Sequence, residues 1–261
     1  MSAEIHPCCL TIAGSDSGGN AGVQADLRAF HSYGLHGCTV FAALTAQNPS
    51  GVSAIHPVPR DFVAAQLDAV LGTYDIRGLK TGMLADPASI EVIADRLAQH
   101  PEIAKVLDPV MIATSGARLV TAETMSVIRA KLLPLATLIT PNLPEAVELA
   151  GVEAAPEELA KRLYDEFGTS VLVKGGHRGE SAAIDVLFDG RDFREFSMPW
   201  VKNPVSTHGT GCSLAAALAA EFALGHTVFD AVKGAKDYVH RAIENAFWVG
   251  PDCGVLGFVS R

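Results

Sequence analysis

"CCLTIAGSDSGGNAGVQADLRAFHSYG", residues 8–34, decides the fold. An apolar run of strand length, residues 8–14, meets a turn rich in glycine and serine. The turn opens into residues 21–34, where apolar side chains recur at helical spacing until Gly34 stops them. A strand, a tight glycine turn and a helix make half of a βαβ unit. Repeated along a chain, that unit predicts a mostly parallel sheet with helices on both faces.

Outward from this stretch the pattern repeats. "GCTVFAALTAQ" (37–47) reads as a second strand, and residues 60–72 as a helix with apolar positions at 62, 63, 67, 70 and 71. "IRGLKTGML" (76–84) is a strand running into a loop, and residues 87–100 form a helix with Pro87 at its start. "AKVLDPVM" (104–111), "ATLITPN" (136–142) and "SVLVKGG" (170–176) are three further buried strands with helices between them. Residues 182–199 then read as a hairpin about the Asp-Gly pair at 189–190. Two long helices follow, at about 209–224 and 227–247. No repeat, linker or composition break divides the chain, so residues 1–261 read as one α/β domain.

Composition narrows the function. Of 261 residues 49% are hydrophobic, enough for a large core. The net charge of −9 and the lack of a basic block argue against nucleic acid or an anionic membrane as partner. Five scattered cysteines without C-x-x-C spacing fit neither a disulfide framework nor a zinc site. Residues 1–14 do not read as a signal peptide, and no apolar run reaches the roughly 20 residues of a membrane span. A reducing cytoplasm is the expected location.

In open parallel sheets ligands bind beyond the carboxyl ends of the strands. Those ends read "AGSDSGGNAG", "TAQN", "KTGML", "LDPVM", "TPNLPE" and "KGGH". Five groups there can carry chemistry. In "THGTGC" (207–212), Gly209, Thr210 and Gly211 open a helix at Cys212. Converging N–H groups and the helix dipole suit a transferring phosphoryl group, and the same field is expected to lower the thiol pKa. A glycine turn packing a helix tightly, with Cys212 as a small apolar residue, accounts for the motif equally well. Residues 13–27 lack the lysine of a Walker A loop, and an ordinary strand-to-helix turn is the simpler account of them. Asn142 and Glu145 sit three apart at a helix start, as a capping box would place them. Asp108 ends a buried strand, where a carboxylate needs solvent, a partner or a metal, although Asp-Pro also starts turns. Lys174 ends another strand, where it either neutralises phosphates or reaches solvent. His177 and His208 carry no assigned chemistry.

Taken in order, these stretches resemble the ribokinase-like family of small-molecule kinases. Within it they resemble the bacterial hydroxymethylpyrimidine/phosphomethylpyrimidine kinases of thiamine biosynthesis. The likeness runs from about residue 8 to about residue 250. It implies ATP and Mg²⁺, a hydroxymethylpyrimidine and then its monophosphate as acceptors, and a homodimer. Cys212 matches the catalytic base, with Gly209, Thr210 and Gly211 as the anion hole. Gly14, Ala21, Asp26, Thr45, Gln47, Met83 and Val110 match positions around the aminopyrimidine. Gln47 would bond the ring nitrogens, and Asp26 would face the ring's polar edge or the hydroxymethyl end. Asp108 and Glu145 match positions near Mg²⁺, while Asn142, Lys174 and Thr207 match positions near the nucleotide. Asn20 stands where the family's first loop carries glycine, a change that could alter the loop's backbone angles. A pyridoxal kinase is the nearest rival. A non-catalytic sensor of pyrimidine or vitamin B6 is the more distant one.

Overall fold

The computed structural model describes residues 6–49, 51–112, 119–175 and 182–257. Their centre is a nine-stranded sheet in the order β3-β2-β1-β4-β5-β6-β7-β8-β9. These strands are β1 (Cys8–Asp16), β2 (His36–Asn48), β3 (Gly51–Pro57), β4 (Ile76–Thr81), β5 (Ala104–Leu107), β6 (Leu138–Ile139), β7 (Ser170–Val173), β8 (Ala182–Phe188) and β9 (Phe193–Pro199). Strands β2, β1, β4, β5, β6 and β7 run parallel, while β3, β8 and β9 add antiparallel pairings at the two edges. The expected hairpin is β8–β9, with Gly190 at φ +92° in its turn.

Side-chain alternation along the strands feeds two cores. Leu10, Ile12, Leu107, Ile139, Val171 and Val173 point to one face. There they meet α2 (Arg60–Leu71), α3 (Pro87–Ala98), α5 (Leu143–Ala150) and α6 (Pro156–Phe167) through Leu67, Ile93, Leu149 and Leu163. Cys9, Val106, Leu138 and Leu172 point to the other face. They meet α1 (Gly22–Ser32), α7 (Thr210–Ala223) and α8 (Val228–Glu244) through Phe30, the alanine run of α7 and Tyr238. A short helix α4 (Ala122–Val127) continues through irregular turns to Leu135.

Helix α7 rests on the sheet backbone to backbone. Its residues Ser213–Ala223 are all buried, and a Cβ on Gly78 of β4 would stand 2.0 Å from the Ala219 carbonyl oxygen. Alanines and a glycine let backbone meet backbone there.

The structure differs from the sequence reading at the margins. β1 runs to Asp16 and β2 to Asn48, both longer than expected. β3 and the small hairpin of β10 (Phe247–Gly250) with β11 (Cys253–Val255) were not anticipated. The expected strand at 136–142 shrinks to the two residues of β6. Gly176 and His177 lie outside the described residues.

Strand order reverses at β1. The chain leaves β1 for β2 and β3 on one side and returns to β4 on the other. The crevice beyond the carboxyl ends of β1 and β4 is therefore the place for a ligand.

Candidate active site

Two loops close this crevice and lean on one another. In the first, after β1, the Asp16 carboxylate accepts the backbone N–H groups of Gly18, Asn20 and Ala21 at 2.8, 2.9 and 2.8 Å. Such a loop gathered on an aspartate is an Asx-type turn extended by two residues. Gly22 begins α1 at φ +58°, and a Cβ there would meet the Gly14 carbonyl oxygen at 2.5 Å. Asn20 needs no positive φ: among the described residues Asn203 is the non-glycine that adopts one. The replacement of glycine by Asn20 therefore leaves the loop's path unstrained.

The second loop leads into α7. Gly209 is its N-cap at φ +88°, without a side-chain cap, and its Cβ position would fall 1.9 Å from the Asn20 carbonyl oxygen. The first N–H groups of a helix lack intrahelical partners, so an uncapped start presents them to an anion together with the dipole's positive end. Thr210 donates its hydroxyl to the Thr207 carbonyl at 3.0 Å and holds the loop to the helix. His208 Nε2 stands 3.9 Å from the Asp16 carboxylate across the two loops.

Cys212, half-buried, sits in the first turn of α7. Its thiol pKa is raised, contrary to the expectation from the helix field. Burial is the main cause, and the carboxylates of Asp26 and Asp108 add to it; Lys80 and the Gly22 N–H pull the other way without overcoming it. The opposing carboxylates arrive from distant elements, which an argument from the local motif does not count.

Beyond β5, β6 and β7 lies a second charged group. Lys174 Nζ is 2.8 Å from Asp108 Oδ1, with side chains 14% and 3% exposed, and Thr140 donates to the same oxygen at 3.1 Å. Asn142 and Glu145 form the capping box of α5: Asn142 Oδ1 accepts the Glu145 N–H at 2.9 Å, and Glu145 accepts the Asn142 N–H at 2.8 Å. Burial raises the Glu145 pKa, Lys174 lowers it and Asp108 raises it, so the three charges share one field. Lys174 Nζ also lies 3.8 Å from where a Cβ on Gly211 would be, which joins this group to the α7 loop. Thr207 is exposed at the loop's outer edge.

The residues matched to the pyrimidine ring gather at the β1–β4 crevice with one exception. Met83 Cε is 2.6 Å from the Cβ position of Gly14, so the methionine tip lies directly against that glycine. Thr45 donates to the Ser15 carbonyl at 2.7 Å, and its hydroxyl lies 3.2 Å from Gln47 Oε1. Half-buried Ala21 belongs to the first loop, and Val110 lines a small pocket with Thr81, Gly82 and Asp108. The exception is Asp26. It does not face an open ring edge: its side chain is 0% exposed, and it binds Lys80 Nζ at 2.9 and 3.0 Å and the Thr11 hydroxyl at 2.6 Å. Position 26 falls on the buried side of α1, where the Lys80 ammonium requires a counter-ion. The sequence reading missed Lys80 and Asp16. Both stand near the carboxyl ends of buried strands, the same signal that singled out Asp108 and Lys174.

A topological switch point, an uncapped helix start over a thiol and a lysine–carboxylate group on one sheet edge define a small-molecule phosphotransferase of the ribokinase-like fold. The comparisons agree: residues 16–257 match the family described as Phosphomethylpyrimidine kinase, and the chain belongs to that family. It is 44% identical over 254 residues to the hydroxymethylpyrimidine/phosphomethylpyrimidine kinase of Haemophilus influenzae, with 94% of each chain covered. It is also 44% identical to the thiamine biosynthesis bifunctional protein ThiED of Geobacter sulfurreducens, matching 96% of its own length but only 52% of that longer protein. Among solved structures, an ADP complex of Bacillus subtilis pyridoxal kinase superposes with a TM-score of 0.90 at 33% identity, covering 98% of both chains. Phosphomethylpyrimidine kinase from Clostridium difficile gives 0.79 at 37% identity, covering 92% of this chain and all of that one.

Proposed function

We propose that this chain transfers the γ-phosphate of ATP to the hydroxymethyl group of 4-amino-5-hydroxymethyl-2-methylpyrimidine, and then phosphorylates the monophosphate, in thiamine biosynthesis. The observation that carries this reading is the meeting of Cys212, the uncapped start of α7 and the Lys174–Asp108–Glu145 group at one strand edge.

In this reading the alcohol lies against Met83, Gly14 and Gln47 with its oxygen toward Cys212. The sulfur takes the hydroxyl proton as the oxygen attacks the γ-phosphorus, and the bond to the β-phosphate oxygen breaks to release ADP. The N–H groups of Gly211 and Cys212 meet the charge on the transferring group, that of Thr210 being held by the Thr207 carbonyl at 3.4 Å, and Lys174 offsets the charge of the triphosphate. Mg²⁺ suits the donors present. Asp108 and Glu145 are hard oxygen ligands held beside a lysine, and magnesium commonly uses one or two carboxylates together with substrate phosphates. Among the described residues no group of three or more His, Cys, Asp or Glu is placed to hold a metal. When bound, the ion would offset negative charge on the nucleotide phosphates.

We read residues 1–261 as one kinase domain acting as a cytoplasmic homodimer. No helix among the described residues is long and apolar enough to cross a membrane. A second reading, pyridoxal phosphorylation, draws on the B. subtilis likeness, since pyridoxal also offers a hydroxymethyl group on a flat aza-ring. Incubation with MgATP and each alcohol, followed by mass spectrometry, separates the two. Mono- and diphosphorylated pyrimidine are the expected products. Phosphorylated pyridoxal alone would replace the first reading with the second, and ligand binding without any product would leave the sensor.

A further inference from the structure

Behind Lys174 lies an ion pair that the proposed reaction does not use. Asp185 on β8 and Lys236 on α8 are 6% and 7% exposed, and Lys236 Nζ stands 2.5 Å from Asp185 Oδ2. A buried pair is an expensive way to tie a helix to a sheet, because apolar residues of similar volume often serve stability as well or better. The other carboxylate oxygen supplies a further reason for it. Asp185 Oδ1 accepts the backbone N–H of Gly175 at 2.9 Å.

Gly175 follows Lys174 where β7 ends. Pairing of β7 with β8 stops at Val173 and Val186, and beyond it the Gly175 N–H goes to a side chain. The two backbones still converge there: a Cβ on Gly175 would stand 1.6 Å from the Ile184 carbonyl oxygen. On the other flank the Lys174 N–H donates to the Pro141 carbonyl at 2.9 Å, in a bridge to Asn142. The peptide on each side of Lys174 is therefore pinned, one beside the start of α5 and one to β8. Two fixed planar peptides leave its Cα–Cβ bond one direction. The side chain follows that direction to Asp108, 2.8 Å away, and to within 3.8 Å of where a Cβ on Gly211 would be. Lys236 holds the second oxygen of Asp185, so the carboxylate does not turn away from Gly175.

We propose that Asp185 is a positioning residue for the nucleotide phosphates: clamped by Lys236, it fixes the Gly175 N–H and with it the line along which Lys174 leaves β7 for the phosphates. This rests on the reading of Lys174 as a phosphate contact of a kinase. Neither Asp185 nor Lys236 touches the nucleotide.

The test is calorimetric titration with MgATP of two double variants that both remove the charges. Asp185→Leu/Lys236→Met also removes the acceptor and should bind MgATP about tenfold more weakly, the loss of roughly one hydrogen bond to a charged group. Asp185→Asn/Lys236→Met keeps an oxygen for Gly175 and should bind MgATP as the parent does. Adenosine has no phosphates for Lys174 to meet, so it should compete equally well in all three proteins, and KM for the alcohol should not change. Equal MgATP affinity in the parent and a folded leucine variant would overturn the proposal, whatever happens to the melting temperature. Equal weakening in both double variants, or of adenosine along with MgATP, would overturn it too, since the pair would then act by packing α8. Should the leucine variant fail to fold, Asp185→Asn alone takes its place. There the Lys236 ammonium claims the amide oxygen and leaves the amide NH₂ facing the Gly175 N–H, so MgATP affinity should again fall, and a parental value refutes the idea. A parent that binds MgATP yet phosphorylates no alcohol, with the variants ordered as expected, would reject the functional reading and leave the hold of Asp185 on Lys174 standing. A parent that binds no MgATP would bring down both.

Discussion

Gly209→Ala puts the packing of the two loops to the test. The residue sits at φ +88°, and an added Cβ would fall 1.9 Å from the Asn20 carbonyl oxygen. Left-handed backbone costs an L-residue about 1–2 kcal/mol, and overpacking a close contact adds about 1–3 kcal/mol. A loss of roughly 2–5 kcal/mol results if the loops hold their places, and at about 2 °C per kcal/mol for a chain of this size the melting temperature falls by ~4–10 °C. The other escape is for the loop to yield, which moves the first N–H groups of α7 away from the phosphoryl group. Misplacement of about 1 Å costs on the order of 10²-fold in rate. Calorimetry and steady-state turnover on the same sample read both routes. Gly211→Ala is the control, because its Cβ would meet nothing nearer than Lys174 Nζ at 3.8 Å, and it should keep the parent melting temperature. A Gly209→Ala protein with parental stability and parental turnover would refute the claim that these loops touch backbone to backbone.

Cys212→Ala should lower kcat by about 10²- to 10⁴-fold with little change in KM for the alcohol, measured by ADP release. The thiol is raised by burial and by Asp26 and Asp108, and only its deprotonated form accepts a proton. Turnover should therefore keep climbing with pH past the ordinary cysteine range, a limb that Cys212→Ala abolishes. Asp26→Ala strands the Lys80 ammonium in the core and should cost about 3–5 kcal/mol in urea unfolding. Excess chelator should abolish turnover reversibly, and Glu145→Gln should raise the Mg²⁺ concentration for half-maximal rate about tenfold.

Much of this architecture can be read from periodicity. β7 shows why: Val171 and Val173 face one core and Leu172 the other, so an unbroken apolar run marks a strand buried on both faces. β3 gave no such signal, because Gly51–Pro57 lies at the sheet edge, half-buried at best and ending in proline. Asp108 and Lys174 were legible as charges at the ends of buried strands, but that each is the other's partner was not, because the two lie 66 positions apart. Lys80 met the same criterion, yet its partner lies 54 positions earlier on α1, and no local pattern announces such a pair. The direction of the Cys212 shift was misread for a related reason. A helix start is visible in sequence, whereas carboxylates brought in by α1 and β5 are visible only once the chain is folded.

The contact between Gly78 and Ala219 has a mechanical consequence. A helix with bulky residues on its seam can slide by fractions of an ångström as rotamers adjust, but one resting on a neighbouring strand through glycine and alanine has almost no compliance. Helix α7 is thereby a rod clamped near its far end, and its thiol is a fixed datum against which both substrates must be aligned. A larger side chain at Gly78, remote from the chemistry, would act like a shim, lifting the helix off the sheet and carrying Cys212 with it without touching either substrate.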